Sequence, residues 1–143
     1  MRGIFFNGKH SWYDFKAVIS SSEKPPPEKN IVEETVPYSN VMYDFSCLTG
    51  KQTYQNRILK YTFSILSGNA RHIRQKADDF INWLYAPKER IKLQDDCEPD
   101  YYYLAKCTNI STPEFIGGIC QLTATFTAYP LRIPHNPERE EKI

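Results

Sequence analysis

Arg57-Ile58-Leu59-Lys60-Tyr61-Thr62-Phe63-Ser64-Ile65-Leu66 is the stretch on which the fold turns. Leu59, Tyr61, Phe63 and Ile65 recur at every second position, with Lys60, Thr62 and Ser64 between them. Successive side chains of a strand point to opposite faces, so this alternation predicts a half-buried β-strand. Ser67-Gly68-Asn69 breaks it, and the period then changes from 2 to 3.6. Ala70, Ile73, Ala77, Phe80, Ile81 and Leu84 mark one face of a helix, while Arg71, Arg74, Gln75, Lys76, Asp78 and Asp79 take the solvent side. Asn69 suits the N-cap, and Pro87 pushes the residue before it out of helical geometry. One amphipathic helix is expected over about 70–86.

Strand signals lie on both sides of this pair. Ile4-Phe5-Phe6 runs into Asn7-Gly8, a dipeptide that favours positive φ and a tight hairpin, with Trp12 to Phe15 starting the return. Ala17 to Ser20 is a second strand, ended by Pro25-Pro26-Pro27, which donates no ladder hydrogen bond and stiffens the chain. Lys29 to Val36 and Val41 to Ser46 read as strands without a deep core pattern. In the latter, Val41, Tyr43 and Phe45 share one face. Beyond the helix come Arg90 to Leu93, then Tyr101 to Ile110, then Ile119 to Tyr129, where Cys120, Leu122, Ala124, Phe126 and Ala128 alternate with polar residues. Thr112-Pro113-Glu114 and Gly117-Gly118 read as turns. Hairpin-length connections favour antiparallel pairing, and one helix cannot cover both faces of a parallel sheet. The expected class is mainly β (α+β): an antiparallel β-sandwich with one helix and an extended β arm.

The composition fits that class. Ten Tyr, eight Phe and two Trp make 14% of the 143 residues, and aromatic rings suit a pleated surface. Eighteen Lys and Arg against 17 Asp and Glu leave +1, so no global field draws in nucleic acid or anionic lipid. No 18-residue apolar run predicts a membrane span. The apolar run at Ile4-Phe5-Phe6 is three residues, short of a signal-peptide core, so synthesis and folding in the cytosol are expected.

Catalytic and metal chemistry finds little support. Cys47, Cys97, Cys107 and Cys120 include no C-x2-C pair, and buried free thiols are expected. His10, His72 and His135 have no neighbours in a catalytic spacing. Asp96, Glu98 and Asp100 imitate the start of a calcium loop, but Tyr101 stands where Gly is needed and Cys107 where Glu is needed. The acidic turn Asp95 to Asp100 is therefore read as a solvated β-turn. Lys51, Arg57, Lys60, Arg71, Arg74 and Lys76, with Tyr54 and Tyr61 among them, form a basic stretch that reads as solvated strand and helix faces or a partner-facing patch. No catalytic residue, cofactor or metal site is assigned. Tyr101-Tyr102-Tyr103 is unusual, because alternation requires cover on both faces of that strand end, and tyrosine is favoured at interfaces.

Several segments in order resemble one family. Gly3-Ile4-Phe5-Phe6-Asn7-Gly8-Lys9-His10-Ser11, the Pro-rich spacer, Ile31-Val32-Glu33-Glu34-Thr35-Val36-Pro37 and Asn56-Arg57 before the long strand are similar to phage distal tail proteins of long non-contractile tails. So are Phe80-Ile81-Asn82-Trp83-Leu84, Asp95-Asp96 through Pro99-Asp100-Tyr101-Tyr102-Tyr103-Leu104, and Ala128-Tyr129-Pro130. The resemblance implies a structural virion protein at the tail tip, assembled in the host cytoplasm. It implies a homo-hexameric ring of β-sandwich domains, each with an arm that clasps the next subunit. It also implies partners: tail tube, tape-measure and tail-tip or receptor-binding proteins. It brings no catalytic residues, no cofactor, no direct nucleic-acid recognition and no membrane insertion. Many members carry a second, carbohydrate-binding-like domain, whereas this chain stops 14 residues after Tyr129. Another tail ring protein (tube or terminator) and a small intracellular binding module are the competing readings.

The expected layout is a ring-forming domain over 1–131 with its arm at about 28–54, and a charged, Pro-containing flexible tail over 132–143. Val41, Tyr43, Phe45, Tyr54, Tyr101 and Tyr103 are the expected subunit-interface residues.

Overall fold

The computed structural model describes residues 2–29, 33–35, 42–44, 54–67, 71–136, 138 and 141. The elements run β1 (Ile4–Phe6), β2 (Lys9–His10), α1 (Ser11–Phe15), β3 (Ala17–Glu23), β4 (Glu33–Thr35), β5 (Met42–Asp44), β6 (Arg57–Leu66) and α2 (Ile73–Tyr85). They continue with β7 (Ile91–Asp95), β8 (Tyr101–Ile110), β9 (Glu114–Ile116), β10 (Ile119–Ala128) and β11 (Ile133–Pro134). Every pairing among the described residues is antiparallel.

The main sheet follows the order β2-β1-β7-β8-β10-β6-β3, with β11 on β8 and β9 on β10. It curls strongly. Strands three steps apart in a flat sheet lie about 14 Å apart. Yet Phe6 on β1 meets Phe126 on β10 with ring centroids 5.3 Å apart, and Tyr61 on β6 reaches Asp95 on β7 at 3.1 Å. The two ends of the path also approach. The Ile19 N–H on β3 donates to the carbonyl of Arg2, just ahead of β1, at 3.1 Å. The two layers of the sandwich are thus halves of one sheet that bends round a common core.

The alternation in the sequence sets that core. Leu59, Tyr61, Phe63 and Ile65 on β6 are fully buried, as are Cys120, Ala124, Phe126 and Ala128 on β10. The helix packs on β6, β8 and β10 through Ile73, Ala77, Phe80 and Leu84, the stripe expected from the sequence. Trp83 joins them, donating its indole N–H to the Phe6 carbonyl at 3.0 Å. Phe80 sits among Phe63, Phe15 and Trp83 at centroid distances of 5.0–5.6 Å. The helix starts after His72, whose side chain makes no capping bond, and the expected cap Asn69 lies outside the described residues.

The Asn7-Gly8 turn is as the sequence predicts, with φ of 48° and 77° at its two central residues. This is the paired positive φ that lets a two-residue hairpin follow the strand twist. The return differs from expectation. Trp12 to Phe15 forms the short helix α1, because the His10 side chain accepts from the Trp12 and Tyr13 N–H groups and caps it. Two other readings are corrected. Glu114 to Ile116 pairs as β9 where a turn alone was expected. The acidic turn is not solvated throughout, because Asp95 closes β7 with no exposed surface. Ile133 and Pro134, placed in the expected flexible tail, pair with Tyr102 and Tyr101.

Candidate assembly interface

Glu33–Thr35 and Met42–Asp44 form a two-stranded sheet of their own, separate from the main one. Glu33 pairs with Asp44, Glu34 with Tyr43 and Thr35 with Met42. Its stem is tied at the body. Lys29 and Tyr54 form an antiparallel bridge, and the Gln55 N–H donates to the Glu28 carbonyl at 2.7 Å. The chain thus leaves the body at Lys29 and rejoins it at Tyr54, beside one another.

Both feet of the stem are held by buried charge. Lys24, immediately before Pro25-Pro26-Pro27, places its ammonium 2.9 Å from Asp95 and 3.5 Å from Glu98. Asp95 also takes Arg2 at 3.0 Å and the Tyr61 hydroxyl at 3.1 Å. Burial by itself would raise the Asp95 carboxyl. Hydrogen bonds from Arg2, the Cys97 N–H and Lys24 outweigh that and hold it at about 2. Burial and the adjacent Asp95 charge push the Tyr61 hydroxyl far above its ordinary value, so it stays a donor. On the returning foot, Arg57 is 5% exposed and lays its guanidinium 5.6 Å over the Tyr103 ring. Arg132 extends the cluster, 3.4 Å from Glu98 and 5.1 Å over the Tyr101 ring.

The expected interface residues separate on this frame. Tyr54 is half-buried at the stem bridge. Tyr101 is half-buried under Arg132. Tyr103 is 1% exposed and fills the protomer's own core, so it offers no area to a neighbour and is corrected to a core residue. Tyr43 lies on β5, and Val41 and Phe45 fall outside the described residues. Tyr102, on the opposite face, is covered within the chain by Lys92 at 4.9 Å and His135 at 5.0 Å. The cover demanded by the tyrosine run therefore comes largely from the same subunit.

Other surfaces were not singled out from the sequence. Ile116 (70% exposed) and Ile119 (44%) pair directly at the β9–β10 turn. Next to the arm stem, Asn56, Lys88, Glu89, Arg90, Lys106 and Tyr129 line an open groove of about 600 Å³. Arg90 bonds Asn56 at 3.1 Å and stacks 4.2 Å over Tyr129. Ile116, Ile119 and Lys106 face outward on strands, and the other groove residues lie in the connections beside them, where no periodicity marks them.

Residues 48–128 match the phage tail protein RIFT-related domain. The chain belongs to that family. Its fold is also that of a solved phage protein, SPP1 Dit (gp 19.1), described as a paradigm of hub adsorption apparatus in Gram-positive infecting phages. The two superpose with a TM-score of 0.70 at 13% identity, covering 92% of this chain and 51% of SPP1 Dit. This chain thus spans about half the length of that protein. No curated protein matches. The protein is accordingly a phage tail protein with a Dit-like fold.

Proposed function

We propose that the protein forms a hexameric ring at the phage tail tip and joins the tail tube to the host-adsorption apparatus. It works by assembly, without catalysis, and it assembles in the host cytoplasm before incorporation into the virion. Its neighbours are the tail tube, the tape-measure protein and tail-tip or receptor-binding proteins. One observation carries this reading: Glu33–Thr35 and Met42–Asp44, within the proposed arm, pair as a sheet separate from the main one, and the chain on either side is bridged at Lys29 and Tyr54. An isolated two-stranded sheet gains little stability alone, so it calls for a partner surface. In a head-to-tail ring the arm of each subunit meets a different surface on the next, and closure ends growth. Val41, Tyr43, Phe45 and Tyr54 on the arm, with Tyr101 at the cluster, remain the proposed contacts. The likeness to SPP1 Dit, a hub protein, supports placement at the tail tip.

Light scattering on the full chain tests the oligomer. A hexamer is expected, and replacing residues 30–53 by a short Gly-Ser turn should yield a folded monomer. A stable hexamer without the arm would sink the arm's role. Antibody labelling of virions tests the place. Labels at the tail tip support the reading, and labels along the tail length would make the protein a tube component instead.

A further inference from the structure

The formal charge of +1 conceals two opposed parts. Residues 28–54 carry four carboxylates, Glu28, Glu33, Glu34 and Asp44, against Lys29 and Lys51, so the arm is at −2 and the rest of the chain at +3. Part of that positive charge is gathered on one face. On β6, β10 and β8 the register sets Ile58, Thr127 and Lys106 side by side in one outward row, with Thr125 and Lys60 paired in the next. Lys92 on β7 stands opposite Leu104 on β8 and extends the face. All of these point away from the core. The sole carboxylate within β6, β7, β8 and β10 is Asp95, which points inward, and exposed Glu23 on β3 pairs with Lys60 at the edge of the face. The face also runs into the 600 Å³ groove, where Lys88, Arg90 and Lys106 outnumber Glu89.

The geometry points to this lysine- and threonine-lined outer face as the acceptor for the acidic arm of a second copy of the chain. The inference rests on the ring reading and adds the surface that the arm meets. Threonine hydroxyls give the arm hydrogen-bond partners. The exposed Ile58, at 47%, and Tyr129, at 49%, give it apolar area. The lysines and Arg90 meet Glu33, Glu34 and Asp44. Donor and acceptor are different patches on one chain, which is the requirement for a head-to-tail contact. Complementary charge of this kind sets the register and speeds encounter, and added salt weakens it.

Two charge-reversed full-length variants test it by light scattering and sedimentation. One carries Lys60→Glu with Lys106→Glu, and the other carries Glu33→Lys with Glu34→Lys. Circular dichroism first confirms that both are folded. Each alone should associate at least about tenfold more weakly than the wild type. Mixed in equal amounts, they should recover the wild-type oligomer, because each reversed arm then finds a reversed face and each native arm a native face. Contacts within one chain would not recover on mixing, so failure to recover overturns the inference. Wild-type association by the face variant also overturns it, while loss of the oligomer on arm removal would leave the ring reading standing. If arm removal leaves the oligomer intact, or the wild type stays monomeric at its highest soluble concentration, both fall.

Discussion

Replacing Asp95 with Asn keeps the size of the side chain and removes its charge. Both carboxylate oxygens are engaged in the native protein. Oδ1 accepts from the Cys97 N–H at 2.9 Å and Arg2 Nε at 3.4 Å. Oδ2 accepts from Arg2 Nη2 at 3.0 Å, Lys24 Nζ at 2.9 Å and the Tyr61 hydroxyl at 3.1 Å. An amide offers one acceptor oxygen and turns an N–H toward two cations, leaving Glu98 as the carboxylate beside Lys24 and Arg132. Removing one side of a buried pair costs about 3–5 kcal/mol. Arg2, 30% exposed, can partly rehydrate, so about 3 kcal/mol is expected. Unfolding 143 residues releases about 0.3 kcal/mol/K, so Tm should fall by about 10 °C at neutral pH. The pH dependence gives an independent check. A carboxyl whose pKa falls on folding adds stability that is complete above its unfolded value and lost as pH falls through its folded value. For Asp95 these are 3.8 and about 2, so about 2 kcal/mol of the difference between wild type and variant should vanish over that window. Calorimetry across pH reads both quantities. Lys24 sits at the outgoing foot of the arm, so hydrogen exchange at the Gln55 amide should also quicken in the variant. A variant within about 2 °C of wild type at neutral pH, with the same acid profile, would refute the account.

Three further outcomes are expected. Gly3→Ala should lose about 1–3 kcal/mol in chemical denaturation, because the new methyl would press on Ser11 Oγ and stand 2.7 Å from His10 Cε1. Ser11 cannot swing aside without orphaning the Ile4 N–H that it accepts from at 3.0 Å. Phe80→Ala should cost about 3–5 kcal/mol in the same assay, since the ring is fully buried against two sheet and helix aromatics. A thiol probe at neutral pH should label exposed Cys97 in the native protein and reach Cys107 and Cys120 only on unfolding. Burial raises both thiols, Cys107 to about 12, so the reactive thiolate is scarce.

The long strands were legible because their period is local: Arg57–Leu66 and Tyr101–Ile110 have the bounds that alternation predicts. The helix was legible for the same reason, although Trp83 lay off the expected stripe and is buried by the edge of β1. What failed to show depends on distant residues. Asp95 looks like one acid in a polar turn until Arg2 and Lys24 arrive from more than 70 positions away. Tyr103 looked like interface because nothing near it in the chain explains its burial, whereas Arg57 and the curled sheet do. The five-residue α1 has no periodicity to read and depends on one histidine cap. Of the candidate interface, the separate pairing of Glu33–Thr35 with Met42–Asp44 falls within the expected arm, while the outward face of β6, β8 and β10 carried no signal in the sequence. That face consists of outward residues, whose polarity looks the same whether solvent or a partner covers them.

The bridge between Lys29 and Tyr54 has a consequence for how such a protein can vary. Because the excursion starts and ends at adjacent points, its length and sequence can change without moving either foot. Lengthening a loop whose ends are already pinned adds only a slowly growing entropic cost. The body, with its core and charge cluster, can therefore stay constant while the inserted segment diversifies. Such a protein could then change this one insert while leaving the packing of the body unaltered.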